Sequence, residues 1–420
     1  MSVTAQPQVS VVVKSYNHAD FVGETIRSIL DQSFQDFEIV VTDDGSTDGT
    51  PDVVRSFSDP RIRLEVFPHN RGISHAMNDA IARARGEYVA ILNSDDFALP
   101  GRLERQTAFL RANPNIGAVF TLPRTVDDRG VPVASFFDFA LPFSLPDFSR
   151  RSWLKYFFFH RNCLCAPTAM VRRSVYRQIG SYDARLINLQ DLDMWIRVCA
   201  GHDIHVMREE LTAFRIRGDD RNMSAPRPDT KLRAEFEFSR ILRNYRAMGP
   251  DLIRAVFAED FAAAGISLLG SHDHWLAELA LHAGSPAHRL FALETLFETA
   301  QSDVDLRRLR EVAGGLEIFG LLAADEHRRH AAQAAGAIAE LRARVQQLEE
   351  ALQGREAELA AARGAAAAQE TEMAALRDAI TSRETERQSL RRAMDELLSS
   401  RSWRYTAALR RLSHMLSKRK

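Results

Sequence analysis

The chain has 420 residues, long enough for two or more domains, and at 45% hydrophobic it can bury a sizeable core. Its 55 Lys and Arg against 56 Asp and Glu leave a formal net charge of −1. That balance excludes a general nucleic-acid binder, and no nucleic-acid partner is expected. No stretch of about 18 uncharged apolar residues exists, so no membrane-spanning helix is expected. Residues 1–8 (Met-Ser-Val-Thr-Ala-Gln-Pro-Gln) lack the basic region and apolar stretch of a secretory signal. The cysteines are Cys163, Cys165 and Cys199, an odd count that suggests reduced thiols in a cytosol. Cys163-Leu164-Cys165 has the wrong spacing for zinc and no second pair exists, so all three are expected in or near the core.

Residues 9–120 alternate short apolar runs with helical patterns, the mark of βαβ units. Val9–Val13 reads as a strand. Phe21–Gln32 reads as a helix with Val22, Ile26, Ile29 and Leu30 on one face. Phe37–Thr42 is a second strand. Thr50-Pro51-Asp52 opens a helix, with Thr50 expected as N-cap and Pro51 at the first helical position. Arg61–Val66 is a third strand. Ile73–Arg85 follows as a helix with Ile73, Met77, Ala80, Ile81 and Ala84 inward. Glu87–Leu92 is the fourth strand.

Residues 121–225 are less regular and carry an aromatic-rich segment (Phe136, Phe137, Phe139, Phe143, Phe148). Residues 230–325 read as a wholly helical domain with no evident chemistry. Within it, His272-Asp273-His274 is expected in a solvated Gly/Ser loop before Trp275. From Leu341 to Leu397 a heptad register holds, with Val345, Leu352, Leu359, Met373, Ile380 and Met394 among its a positions and Leu341, Leu348, Leu376, Leu390 and Leu397 among its d positions. Those heptads, about eight of them, would make roughly 85 Å of helix. Arg355, Arg383, Arg387 and the Gly364 region weaken the seam. A self-associating coiled coil over 326–400 is expected, the alternative being one extended helix folded back on the body. Residues 401–420 contain no acid, and Arg401, Arg404, Arg410 and Arg411 alternate with Trp403, Leu409 and Leu412. Such a basic amphipathic tail suits an anionic membrane surface or stays solvated.

The ends of the apolar strands carry the chemistry. The first ends in Lys14-Ser15-Tyr16-Asn17, the second in Asp43-Asp44-Gly45-Ser46-Thr47-Asp48, the fourth in Asn93-Ser94-Asp95-Asp96. Parallel strands thus bring polar groups to one sheet edge, where such folds bind ligands. Adjacent carboxylates repel unless something positive lies between them, and a hard divalent cation bridging phosphate oxygens would serve. A carboxylate at a strand end can accept the N–H of a uracil-like base. These pieces suit a nucleotide diphosphate.

Residues 8–225 resemble family 2 glycosyltransferases of the GT-A fold, the bacterial cell-surface polysaccharide type. The matching residues are Ser15-Tyr16-Asn17, the Asp-Asp-Gly-Ser-Thr-Asp-Gly-Thr run at 43–50, Asn70-Arg71-Gly72 with Asn78, Gly86-Glu87-Tyr88, and Ser94-Asp95-Asp96. The resemblance implies a GT-A domain over 1–229, Rossmann-like and α/β. It implies that Asp44 reads the base, that Asp95 contacts the sugar nucleotide, and that Asp96 with Asp95 holds Mg²⁺ or Mn²⁺ on the diphosphate. Ser15, Tyr16, Asn17, Asn70 and Asn78 are expected to line the donor site. Gln190-Asp191 stands where the family commonly has Glu-Asp, so Asp191 is the expected general base of an inverting transfer. Taken by itself, Asp191 reads first as a helix N-cap before Met194-Trp195-Ile196, and Asp193 reads as structural.

Two departures stand out. Asn93 occupies a place where many relatives carry Asp. Arg215-Ile216-Arg217 stands where relatives often carry Arg-x-His, so Arg217 could hold the diphosphate or signal weaker metal dependence. The expected partners are a UDP-, GDP- or dTDP-sugar, a glycan or lipid-linked acceptor, further copies of the chain through the coiled coil, and an anionic membrane surface. The expected location is cytoplasmic, on the inner face of the plasma membrane. The alternative is a degenerate transferase serving as a coiled-coil scaffold for an assembly complex. A nucleotidyltransferase would need a Gly-rich basic loop after the first strand, and residues 15–20 do not form one.

Overall fold

The computed structural model describes residues 6–133, 149–217, 228–315 and 324–400, with four scattered residues beyond. The aromatic segment at 136–148 and most of the basic tail, Trp403 included, lie outside the described residues. The chain divides into two units, residues 1–321 and 322–420.

The first unit is built on one mixed sheet of eight strands in the order β3-β2-β1-β4-β7-β6-β8-β5. Its first half is the expected run of parallel strands: β1 (Val9–Ser15), β2 (Phe37–Asp43), β3 (Ile62–Val66) and β4 (Tyr88–Asn93). Helices α1 (Ala19–Leu30), α2 (Thr50–Arg55) and α3 (Ile73–Arg83) connect them. The chain builds outward through β1, β2 and β3, then returns to pair β4 on the other side of β1. The carboxyl ends of β1 and β4 are therefore the point where strand order reverses, the place at which such sheets take ligands.

Beyond β4 the sheet turns antiparallel through β7 (Met170–Arg172) and β6 (Ile116–Val126). Strand β8 (Asp203–Arg215) runs parallel to β6 with three register shifts, and the short β5 (Phe97–Ala98) pairs antiparallel to its end. Helices α4 (Arg102–Ala112), α5 (Arg150–His160), α6 (Arg173–Ile179) and α7 (Gln190–Gly201) fill the remaining connections.

Strand parity sorts the core, since successive side chains point to opposite faces. Val9, Val11, Val13, Ile39, Val41, Ala90 and Leu92 pack against Val22, Ile26 and Ile29 of α1 and Leu103 and Leu110 of α4. Val12, Val40, Val89 and Ile91 face the other way, into a cluster with Met77 and Ala80 of α3 and Trp195 of α7. That second cluster continues into helices α8 (Pro228–Ile241), α9 (Pro250–Ala263), α10 (His272–Ala283) and α11 (Pro286–Thr299) through Phe238, Phe257, Trp275 and Phe291, with Tyr245 of the 3₁₀ turn after α8. Helix α12 (Asp303–Gly315) joins through Val312. Residues 228–315 share one hydrophobic interior with the sheet.

Some local expectations need correction. Helix α2 starts at Thr50 with Gly49 as N-cap, and the Thr50 hydroxyl instead accepts the N–H of His18 (2.8 Å). His272 and His274 are not in a loop: Ser271 accepts the N–H of Asp273 and starts α10 there. The cysteines meet expectation, with Cys165 and Cys199 buried, Cys163 half-buried and no disulfide among them.

The second unit contains α13 (Ala324–Ser399), one continuous helix of 76 residues. At 1.5 Å per residue it is about 110 Å long. Leu359, Met373, Leu376, Ile380, Leu390, Met394 and Leu397 are all exposed along it. No helix among the described residues is long and apolar enough to cross a membrane.

Candidate active site

The loops after β1, β2 and β4 meet at the reversal point, and three buried carboxylates organise them. Asp43, at the end of β2, accepts the hydroxyls of Ser15 and Ser46 (2.7 Å each) and the N–H of Ser46 (2.8 Å). Ser15 is thus an internal brace, buried at the strand end. Asp44 accepts the N–H groups of Arg71 (2.7 Å) and Gly72 (2.9 Å), drawing the loop before α3 toward β2. Gly45 makes that approach possible: its φ is +72°, and a Cβ there would sit 2.5 Å from the backbone of His69. Asn17, at φ +53°, accepts the N–H of Thr47 with its side chain (2.9 Å). Tyr16 and Asn70 are exposed beside these turns. Asn78 lies elsewhere. Its side chain donates to the Tyr182 carbonyl and accepts the Tyr182 N–H, both at 2.8 Å, so it clamps backbone instead of facing a donor.

The two carboxylates after β4 have different roles. Asp96 is enclosed; its oxygens accept the N–H of Arg215 (2.8 Å) and the Asn93 amide (2.7 Å). Burial, and then the charge of Asp95, push its carboxyl well above the usual carboxylate range. Both Asp96 oxygens are thus already engaged by protein N–H groups, whereas those of Asp95 are not. Asp95 is partly open, 3.8 Å from Nε2 of His18. Among the described residues no group of three His, Cys, Asp or Glu could hold a metal. A cation that takes one carboxylate from the protein and the rest of its ligands from phosphate and water still fits Asp95.

Cationic groups stand around Asp95. Lys14, paired across from Asn93 in the sheet, donates to the Asn93 side-chain oxygen. Burial lowers its ammonium pKa, while Asp95, Asp96 and Asp191 together raise it. Arg217 donates to Nε2 of His18 (2.8 Å), which leaves Nδ1 of His18 to donate to the Ser94 hydroxyl (2.7 Å). Burial therefore favours neutral His18, and the Arg217 and Lys14 charges add to that effect.

Asp191 sits in the first turn of α7, not at its cap, which is Leu189. Its carboxylate accepts the Leu192 N–H (2.8 Å) and the Asn162 amide (2.9 Å). Burial raises its pKa to about 6, against the lowering effect of those N–H groups, Lys14 and Asn162. Asp193 is structural as expected, bound to Arg197 (2.7 Å) and Asn244 (2.8 Å). His18 and Asn162 carried no signal in the sequence, and Asp43 and Asp48 stood in the 43–50 run without a role of their own. Asp48 is legible afterwards as a short-range brace, accepting the N–H groups of Thr50 (2.9 Å) and Ala19 (3.1 Å).

Carboxylates and cations at the reversal point of an α/β sheet define a class, the enzymes that handle a charged nucleotide ligand at a switch point. The description "Glycosyl transferase family 2" matches residues 10–180. The uncharacterized glycosyltransferase MJ1057 of Methanocaldococcus jannaschii is 31% identical over 224 residues, 52% of this chain and 74% of its own length. The succinoglycan biosynthesis protein ExoO of Rhizobium meliloti is 46% identical over 99 residues, 24% of this chain and 28% of its own. Among solved structures, the mannosyltransferase PcManGT from Pyrobaculum calidifontis, in complex with GDP-Man and Mn²⁺, is 21% identical with a TM-score of 0.45, covering 79% of this chain and 85% of its own. The chain belongs to glycosyl transferase family 2 and is a glycosyltransferase.

Proposed function

We propose that this enzyme moves a sugar from a nucleotide-diphosphate donor to a hydroxyl of a glycan or lipid-linked acceptor, inverting the anomeric carbon, in cell-surface polysaccharide assembly on the cytoplasmic face of the membrane. The observation that carries it is the Asp191 carboxylate, held in the first turn of α7 by the Leu192 N–H and the Asn162 amide, with burial raising its pKa to about 6. A base tuned near working pH can take the acceptor proton as the oxygen attacks. Asp44 reads the nucleotide base with lone pairs left over from the Arg71 and Gly72 N–H groups. Lys14 and Arg217 face the diphosphate, and Asp95 is the protein ligand for Mg²⁺ or Mn²⁺. When bound, that ion would offset charge on the leaving diphosphate. ExoO, a relative named for succinoglycan biosynthesis, supports the polysaccharide setting.

Thermal unfolding with UDP-, GDP- and dTDP-sugars, with Mn²⁺ or with EDTA, tests the reading. A true donor at 100 times its dissociation constant adds about 2.7 kcal/mol. No stabilisation by any of them would favour the scaffold reading instead.

The metal assignment has its own test. Asp95→Ala should weaken UDP or GDP binding in Mn²⁺ by about tenfold or more and change little in EDTA, because a ligand matters only when its metal is present. Asp96→Asn should mainly lower thermal stability. The reverse pattern would return the metal to Asp96.

We also propose that the exposed apolar residues of α13 meet those of another copy in a coiled coil. Full-length protein should be a dimer or trimer by light scattering, and a chain ending near residue 325 should be a monomer that still binds donor. A monomeric full-length protein would sink the coiled coil. Loss of residues 401–420 should keep the oligomer and reduce salt-sensitive binding to anionic vesicles, where each Lys or Arg contributes about 1 kcal/mol.

A further inference from the structure

The backbone that delivers Asp191 is an irregular stretch, residues 183–189, without a regular ladder to fix it. Side chains hold it from both sides. Asn78 of α3 clamps Tyr182 at its start, and Ser74 donates to the Leu186 carbonyl (3.4 Å). At its end, immediately before α7, three successive N–H groups point at one side chain. Glu237 of α8 accepts the N–H of Ile187 on Oε1 (2.9 Å) and those of Asn188 and Leu189 on Oε2 (2.9 and 2.8 Å). One helical turn earlier on α8, Arg233 donates to the Asn188 side chain (3.3 Å).

Glu237 is 3% exposed. A buried carboxylate is costly unless it is fully hydrogen-bonded, and bonds from N–H groups to an ionised oxygen are roughly twice as strong as neutral ones. Here the acceptor lies in the helical region, about fifty positions from the loop that it holds, and the loop leads straight into the first turn of α7. We propose that Glu237 is a positioning residue for transfer: it sets the entry to α7 so that the Asp191 carboxylate, also held by Asn162, stays at the angle from which it takes the acceptor proton. This rests on the reading of Asp191 as the base. Residues 228–241 then belong to the catalytic apparatus, although their sequence shows only a helix.

Glu237→Gln is the sharp variant. Its size is unchanged, but its amide nitrogen must oppose one of three N–H donors, so the turn can relax while the interior stays filled. A displacement of about 1 Å at a reacting group can cost on the order of 10²-fold in rate. We expect kcat to fall at least tenfold, UDP or GDP affinity in Mn²⁺ to stay within about twofold, and amide exchange to quicken at Ile187, Asn188 and Leu189. Glu237→Asp, which keeps the charge at a shorter reach, should recover part of kcat. It also serves if the Gln variant does not fold. Glu294→Gln, which removes the ion pair between α8 and α11 at Arg240, should leave kcat unchanged.

Wild-type kcat in Glu237→Gln overturns the proposal. So does a parallel loss of kcat and nucleotide affinity, which would mark Glu237 as structural only. Asp191→Asn measured beside them keeps the two readings apart. Wild-type turnover there removes the base, whereas a dead Asp191→Asn with an active Glu237→Gln removes only the positioning role.

Discussion

Asp191→Asn should lose transfer by roughly 10²–10⁴ in kcat, the usual cost of a missing general base, with nucleotide affinity nearly unchanged. The wild-type rate should follow the ionised fraction of a group near pH 6: low when Asp191 is protonated, rising as pH climbs through that value, and flat above it. Lys14 lowers this pKa, so Lys14→Met should move the acidic limb to higher pH. Stability runs the other way. A folded-state pKa of about 6 against an ordinary 3.8 means that folding favours the neutral acid. Wild type should therefore lose stability relative to Asp191→Asn as pH rises from about 4 to about 6, by at most about 3 kcal/mol for two units. Initial rates from about pH 5 to about pH 8, with unfolding curves at about pH 4 and about pH 7, decide it. A variant that turns over normally, or a rate independent of pH below 7, would remove Asp191 from the mechanism.

The largest stability effect should come from Arg215. Its side chain is enclosed at the end of β8 and binds four separate groups: the carbonyls of Asp95, Asp127 and Asp128 (2.8 Å each) and the Glu24 carboxylate (2.6 Å). It also lies over the Phe21 and Phe97 rings, at 4.8 and 5.6 Å. Arg215→Met would fill the space and leave those carbonyls unpaired in the interior. Each orphaned buried acceptor costs about 1–3 kcal/mol, and breaking a buried charged network typically costs about 3–5 kcal/mol. Denaturant unfolding should show a loss in that range. Arg215→Lys should restore only part of it, because a single ammonium cannot fork to four partners. A loss below about 1 kcal/mol would mean that solvent reaches these groups. Donor binding should weaken too, since the same guanidinium fixes the backbone of Asp95.

The parallel half of the sheet was legible because apolar runs at alternating parity leave a periodic mark, and β1 to β4 lie within a few residues of where Val9, Phe37, Arg61 and Glu87 open them. The ligand edge was legible for the same reason: strand ends are sharp when strands are. Which member of each acidic pair faces inward was not. Asp43 and Asp44, or Asp95 and Asp96, differ by one position, and their roles turn on the backbone N–H groups and on Arg215, more than a hundred residues from Asp96 in sequence. Asn78 sat in a recognisable motif yet binds backbone at Tyr182. His18, Asn162 and Glu237 gave no signal, since a lone polar residue carries no trace of the distant group it meets. Thr50 misled because a threonine before proline looks like a cap, whereas Gly49 is the N-cap and the His18 N–H occupies the Thr50 hydroxyl.

The single interior shared by sheet and helices limits how this enzyme can be recombined. A chimera cut at residue 229, where the nucleotide-facing motifs have ended, would leave Phe158 without the rings of Tyr245, Phe257 and His288. A graft that swaps acceptor preference between related enzymes must carry the segment through residue 315 as one heritable block. Insertions and deletions should then be tolerated beyond that block far better than inside it.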